Sequence, residues 1–193
     1  MRQIQLTKPG GLENLLICEA EMPIPKSDEV VIKISASSLN YHDLMVALGL
    51  IPTDDKRVPL SDAAGKIVEV GSDVSTWQVG DEVMSVCFPN WQSGPPKYEL
   101  LSFIGDNQDG YAAEHIAISA KAITRIPKDF TLIEAATLPC AGLTAWRALI
   151  DEGKLKSGES VLVQGTGGVS IFALQLAKSM GAKVIATSSS DEK

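Results

Sequence analysis

The chain has only three cysteines in 193 residues, Cys18, Cys87 and Cys140, an odd number set far apart. That excludes a disulfide framework and any Cys-x-x-Cys redox or zinc pair, and leaves reduced, mostly buried thiols as the expectation. Lys and Arg form no cluster, and the net charge of −7 is spread along the chain, which argues against a nucleic-acid or anionic-membrane surface. No apolar run approaches the ~20 residues that a membrane helix needs. Met1-Arg2-Gln3-Ile4-Gln5-Leu6 lacks the form of a secretory signal. Internal repeats and low-complexity tracts are also lacking. The expectation is a soluble, cytoplasmic protein of one or two domains, whose partners are small molecules or other subunits.

What is present changes character along the chain. Up to about residue 119, short β-branched runs at 30–34, 66–70 and 81–86 are broken by Pro, Gly, Asp and Ser, which reads as a β-rich domain. In "EVGSDVSTWQVGDE" two Val-Gly pairs flank a connection and predict a tight turn between sheet strands, or simply a loop. Residues 87–110, rich in Pro, Gly and Asn, predict a surface excursion near a cleft. Residues 132–138 and 144–150 read as helical. The fold class is therefore α/β, with a β-rich domain over 1–126 and a second over 127–193.

The closing stretch carries the clearest motif. Ser160-Val161-Leu162-Val163 suits a strand buried on both faces of a parallel sheet, and Gly165-Thr166-Gly167-Gly168 follows at once. Val169, Phe172, Ala173, Leu176, Ala177 and Met180 then recur at helical spacing up to Gly181, a C-terminal cap. Lys183-Val184-Ile185-Ala186-Thr187 supplies a second strand. A glycine turn between strand and helix lets the backbone approach a pyrophosphate closely, while the helix N–H groups and positive end face the anion. Gly165, Thr166, Gly167, Gly168 and Val169 are therefore the expected cofactor-binding residues, with Ser170 where a third glycine would assist helix packing.

The cofactor is read from the end of the second strand. A site for NAD places Asp or Glu about 20 residues after the first glycine, whereas Thr187-Ser188-Ser189-Ser190 stand here. No carboxylate there repels a 2′-phosphate, so NADP(H) is expected, with Ser188, Ser189 and Lys193 as its partners. The alternative is that these residues begin the next helix, with Ser190 as N-cap.

With "EVVIKISASSLNYHDLMVALG", "PLSDAAGKIVEVGSDVSTWQVGDEVM", "GYAAEHIAIS", "AATLPCAGLTAWRAL" and the glycine motif in order, the whole chain resembles the medium-chain dehydrogenase/reductase family, in particular its zinc-independent quinone-oxidoreductase-like branch. The resemblance implies a GroES-like catalytic domain followed by the start of a Rossmann domain, a substrate cleft between them, and a homodimer. Family members run on well beyond this length, so the sequence reads as an N-terminal fragment that binds NADPH weakly by itself.

Matching the family's Cys-x-x-Asp motif onto "LNYHD" puts Asn40 at a cysteine ligand of catalytic zinc and His42 at the proton-relaying hydroxyl. Its Gly-His-Glu motif falls on Leu60-Ser61-Asp62, so Ser61 replaces a histidine ligand, and Cys140 alone matches a third. Asn and Ser are poor zinc ligands, so no metal is expected. The resemblance keeps three alternatives in view: a zinc-independent NADPH-dependent reductase of quinones or α,β-unsaturated carbonyls, a zinc-dependent alcohol dehydrogenase using Cys140, His42 and Asp62, and a non-catalytic GroES-like module. Without a Lewis acid the substrate must already be electrophilic, accepting hydride at carbon and spreading charge to oxygen. Asn40, Tyr41 and His42 are the catalytic candidates, with His42 able to donate a proton near neutral pH. The competing reading packs Tyr41 in the core and leaves His42 structural. Asp43 is expected to cap a helix, and His115 to be structural on a strand.

Overall fold

The structure is a computed structural model describing residues 1–95, 97–100 and 102–190. The chain divides into two compact units, Met1–Pro139 and Cys140–Lys193. The sequence placed the change of character at 126/127. The helix α2 (Leu132–Ala135) instead stays with the first unit, because Ala135 and Ala136 are buried against Ala64 of its sheet.

In the first unit, β1 (Arg2–Leu6) and β2 (Leu15–Glu19) form an antiparallel pair. The main sheet is built from β3 (Glu29–Ser38), β4 (Asp62–Val70), β5 (Glu82–Ser85), β6 (His115–Ser119) and β7 (Ile123–Arg125). Its antiparallel order is β6-β3-β4-β5-β7. The β-branched run at the start of β3 lies between β4 and β6, so that Val30, Val31 and Ile32 are all buried. Val30, Ile32, Ile67, Val83, Ile104, Tyr111 and Ile123 form the core on one face. On the other, Ala64 meets α2, whose own alanines permit close approach. Burying a side chain such as Ile67 contributes about 1.5–3 kcal/mol relative to leaving it exposed.

The connection between β4 and β5 is longer than a tight turn. It folds back at Gly80, whose amide donates to the Ile67 carbonyl at 2.8 Å, and is pinned by the Trp77 indole donating to the Ala120 carbonyl at 2.9 Å. Among the described residues of 87–110, Tyr98–Leu100 form a short helical turn.

In the second unit, α3 (Leu143–Trp146) is preceded by a wider π turn, Leu138–Gly142, that begins in the last residues of the first unit, and continues into another, Arg147–Glu152. The parallel strands β8 (Ser160–Gln164) and β9 (Lys183–Thr187) flank α4 (Gly168–Ser179). Gly181, at φ +79°, ends α4 as expected: its amide bonds Lys178 and that of Ala182 reaches Ala177, closing the helix carbonyls. Among the described residues β8 has β9 alone beside it: Val163 packs with Ala145 and Ala173, while Leu162 is 57% exposed.

Candidate functional site

Two groups of side chains carry chemistry, one in each unit. In the first, β3 ends at Ser38 and the chain turns into α1 (Tyr41–Ala47), whose first turn is closed by the Asp43 carboxylate accepting from the Asn40 amide at 2.8 Å. This is the capping role expected of Asp43. Burial pushes the Asp43 carboxyl up, against the pull of hydrogen bonds from the Asn40 amide and Ser61 and of the nearby His42. The side chain of Asn40 faces the start of β4. Its Nδ2 donates to Ser61 Oγ at 3.1 Å and to Asp62 Oδ2 at 3.0 Å, and both partners are fully buried. Beside them, burial and then the Asp62 charge hold the Tyr111 phenol well above its ordinary value.

Ser61 follows a residue under backbone tension. Leu60 has φ +77°, the left-handed region that favours glycine, and the backbones of Gly105 and Gly110 press onto it so closely that a Cβ on Gly110 would collide with its carbonyl. The 87–110 excursion is thus seated on the residue that sets Ser61.

His42 turns toward that excursion. Its Nε2 lies 2.9 Å from Asp106 Oδ2, and its ring packs on Phe103 at 4.2 Å between centroids, with Phe88 a further 5.3 Å from Phe103. Tyr41 is 76% exposed and so is not a core residue. The structure therefore brings Asn40 to Ser61 and Asp62, and His42 to Asp106, but leaves Tyr41 outside both groups. His115 lies on β6, paired with Lys33.

The zinc-ligand positions can be tested against these contacts. Of the three, Asn40 is bonded through Nδ2 to Ser61 Oγ and to Asp62 Oδ2, and amide and hydroxyl are weak zinc donors, while Cys140 belongs to the second unit. Among the described residues no three His, Cys, Asp or Glu side chains are grouped to hold a metal ion.

In the second unit, Gly165 at φ +81° makes the bend from β8, and a Cβ on Gly165 or Gly167 would meet nothing within 4 Å. That open space lies at the N-terminus of α4, where the first N–H groups have no helical acceptor. These residues fit a pyrophosphate, and Gly165, Thr166, Gly167, Gly168 and Val169 form the turn together. Gly168 faces Ala141 at 3.5 Å, a contact distance for its absent Cβ. Ser170, at the third glycine position, donates to the Gln164 carbonyl at 2.9 Å and so ties helix to strand. At the end of β9, Thr187 Oγ1 accepts from the Gly165 amide at 3.1 Å, and the Ser188 hydroxyl donates to the Ser190 carbonyl at 2.7 Å. Ser189 is exposed beside it. Lys193 lies outside the described residues.

Comparison with known proteins bears on the fold and the family. Residues 26–128 match the model of the alcohol dehydrogenase GroES-like domain. A zinc-type alcohol dehydrogenase-like protein of Schizosaccharomyces pombe is 42% identical over 199 residues, covering 100% of this chain and 58% of the relative. A chloroplast envelope quinone oxidoreductase homolog of Arabidopsis thaliana is 35% identical over 188 residues, covering 92% of this chain and 52% of that one. A solved structure from Sinorhizobium meliloti, assigned as an alcohol dehydrogenase, superposes with a TM-score of 0.91 at 37% identity, over 99% of this chain and 58% of its own. The chain thus spans little more than half the length of these relatives. By its matched domain and by the order of its motifs, it belongs to the medium-chain dehydrogenase/reductase family, of the alcohol dehydrogenase GroES-like type.

Proposed function

We propose that the protein reduces a quinone or an α,β-unsaturated carbonyl with NADPH and without catalytic zinc. The observation that carries this reading is the Asn40 amide bonded to both Ser61 and Asp62, where a zinc-dependent relative would need free ligands. The quinone oxidoreductase homolog among the relatives supports the same direction.

A nicotinamide cofactor, when bound, would supply hydride. The chain's own residues supply the rest. Gly165, Gly167 and the N-terminus of α4 leave room and free N–H groups for the pyrophosphate. Among the described residues at the end of β9, Thr187, Ser188 and Ser189 offer hydroxyls and no carboxylate, which favours a 2′-phosphate. In the first unit, Asn40 holds the start of α1 against β4, and His42 is the proton donor to the oxygen on which charge develops as the conjugated system is reduced. A quinone and an enone share that requirement, since both take hydride at carbon and release charge at oxygen. Tyr41, being exposed, contributes at most to the substrate's approach. Family resemblance supports a homodimer, and the odd number and wide spacing of the three cysteines support a reducing, cytoplasmic setting.

Titration calorimetry of NADPH and NADH into the protein tests the cofactor, with at least about tenfold tighter binding of NADPH, or 1.4 kcal/mol, as the expected result. Equal or reversed affinities overturn that choice.

A further inference from the structure

We propose that Asp106 is a positioning residue for His42, fixing its imidazole as the Nε2–H tautomer so that Nδ1 is the nitrogen offered for proton transfer. The proposal rests on the reading above, in which His42 serves the oxygen of the substrate.

A carboxylate only accepts hydrogen bonds, so at 2.9 Å from Asp106 Oδ2 a neutral His42 must carry its hydrogen on Nε2. Charged, the ring has a hydrogen on each nitrogen, and the one on Nε2 stays with Asp106. The proton that leaves is therefore the one on Nδ1: the Nδ1–H bond breaks, an O–H bond forms on the reduced substrate, and solvent reprotonates the neutral ring. Asp106 stays ionised throughout, as an orienting carboxylate does beside other acid–base histidines.

Asp106 is itself held. Its Oδ1 accepts from the Asn107 amide, and the turn around it is closed by the Gly105 amide on the Gln108 carbonyl at 2.9 Å and by Asn107 Oδ1, which accepts from the Phe103 amide and the Ser102 hydroxyl at 3.0 Å each. Gly105 is in turn seated on the Leu60 backbone. The same turn supplies Phe103, whose ring packs on His42 at 4.2 Å and a 57° tilt. One short segment thus fixes the imidazole by its edge and by its face. The side chains of His42 and Asp106 remain 30% and 13% exposed, so the acid is held without being sealed from a substrate.

The protein contains two histidines, so comparison with His42→Asn assigns the ring nitrogens in nitrogen-detected magnetic resonance spectra. In the native protein the neutral His42 ring should show the Nε2–H signature. Asp106→Ala should give mixed tautomers and a kcat lowered at least about tenfold, with KM held within about twofold. Asp106→Asn, whose amide oxygen still accepts from Nε2, should keep the tautomer. An Nδ1–H signature in the native protein, or an unaltered ring signature in Asp106→Ala, overturns the proposal. Mixed tautomers in Asp106→Ala with no fall in kcat there or in His42→Asn overturn instead the reading of His42 as proton donor.

Discussion

In Met1–Pro139 the sheet shields Val30, Ile67 and Val83 completely on one face and rests on α2 on the other, whereas in Cys140–Lys193 the paired strands β8 and β9 leave Leu162 and Ile185 each 57% exposed. The strands are chemically alike, short and rich in Val, Leu and Ile. What differs is how many neighbours each has. Burial is a property of the assembled sheet, so the same residues stabilise strongly in one unit and weakly in the other. The two sites inherit that difference: the Asn40 network is embedded in a closed core, while the glycine turn is displayed on a frame of two strands with α3 and α4 packed on them.

The sharpest way to break this comparison is to truncate matched residues in each unit. Ile67→Ala, fully buried in β4, should cost about 2–5 kcal/mol in denaturant unfolding of the first unit. Leu162→Ala should cost no more than about 1 kcal/mol, because much of its side chain is already in water. Comparable losses at the two positions would show that β8 is buried in solution.

At the glycine turn, stability and binding should separate. A Cβ on Gly167 meets nothing within 4 Å and its φ of −75° suits any residue, so Gly167→Val should change stability by no more than about 0.5 kcal/mol. It should still weaken nucleotide binding at least about tenfold in calorimetry, by filling the space of the pyrophosphate.

Helix capping gives a smaller contrast. Thr131 accepts from the Glu134 amide at the start of α2, whereas α4 begins at Gly167 with no side-chain cap. Thr131→Ala should cost about 1 kcal/mol in the first unit.

The smallest effect is on pH dependence. The Thr131 amide and hydroxyl hold the Glu134 carboxyl below its usual value, so its contribution is present above that value and lost as pH falls through the lowered one. Asp43 runs the other way: its carboxyl is raised by burial, so the cost of its charge is relieved as pH falls through that raised value. Acid titration of stability should therefore lose part of its low-pH fall in Glu134→Gln and part of an opposing gain in Asp43→Asn.

The sequence made local features legible. The strand, glycine turn, helix and Gly181 cap in the second unit follow from spacing alone, since each contact spans a few residues. Asp43 as a cap follows from its place three residues after Asn40. The pairing of Asn40 with Ser61 could be approached only through the family motifs, because it joins residues 21 apart at the ends of neighbouring strands. Asp106 left no signal at all. Its bond to His42 spans 64 residues and depends on how the 87–110 excursion seats on Leu60, whose positive φ no pattern announces.

The central claim is that the Asn40, Ser61 and Asp62 positions serve a reduction that needs no metal. The direct test is NADPH oxidation by a quinone or enone acceptor, before and after exhaustive chelation, with metal content measured on the same sample. The account predicts a rate unchanged by chelation and no stoichiometric zinc. Loss of the rate on chelation, with recovery on adding zinc, would contradict it.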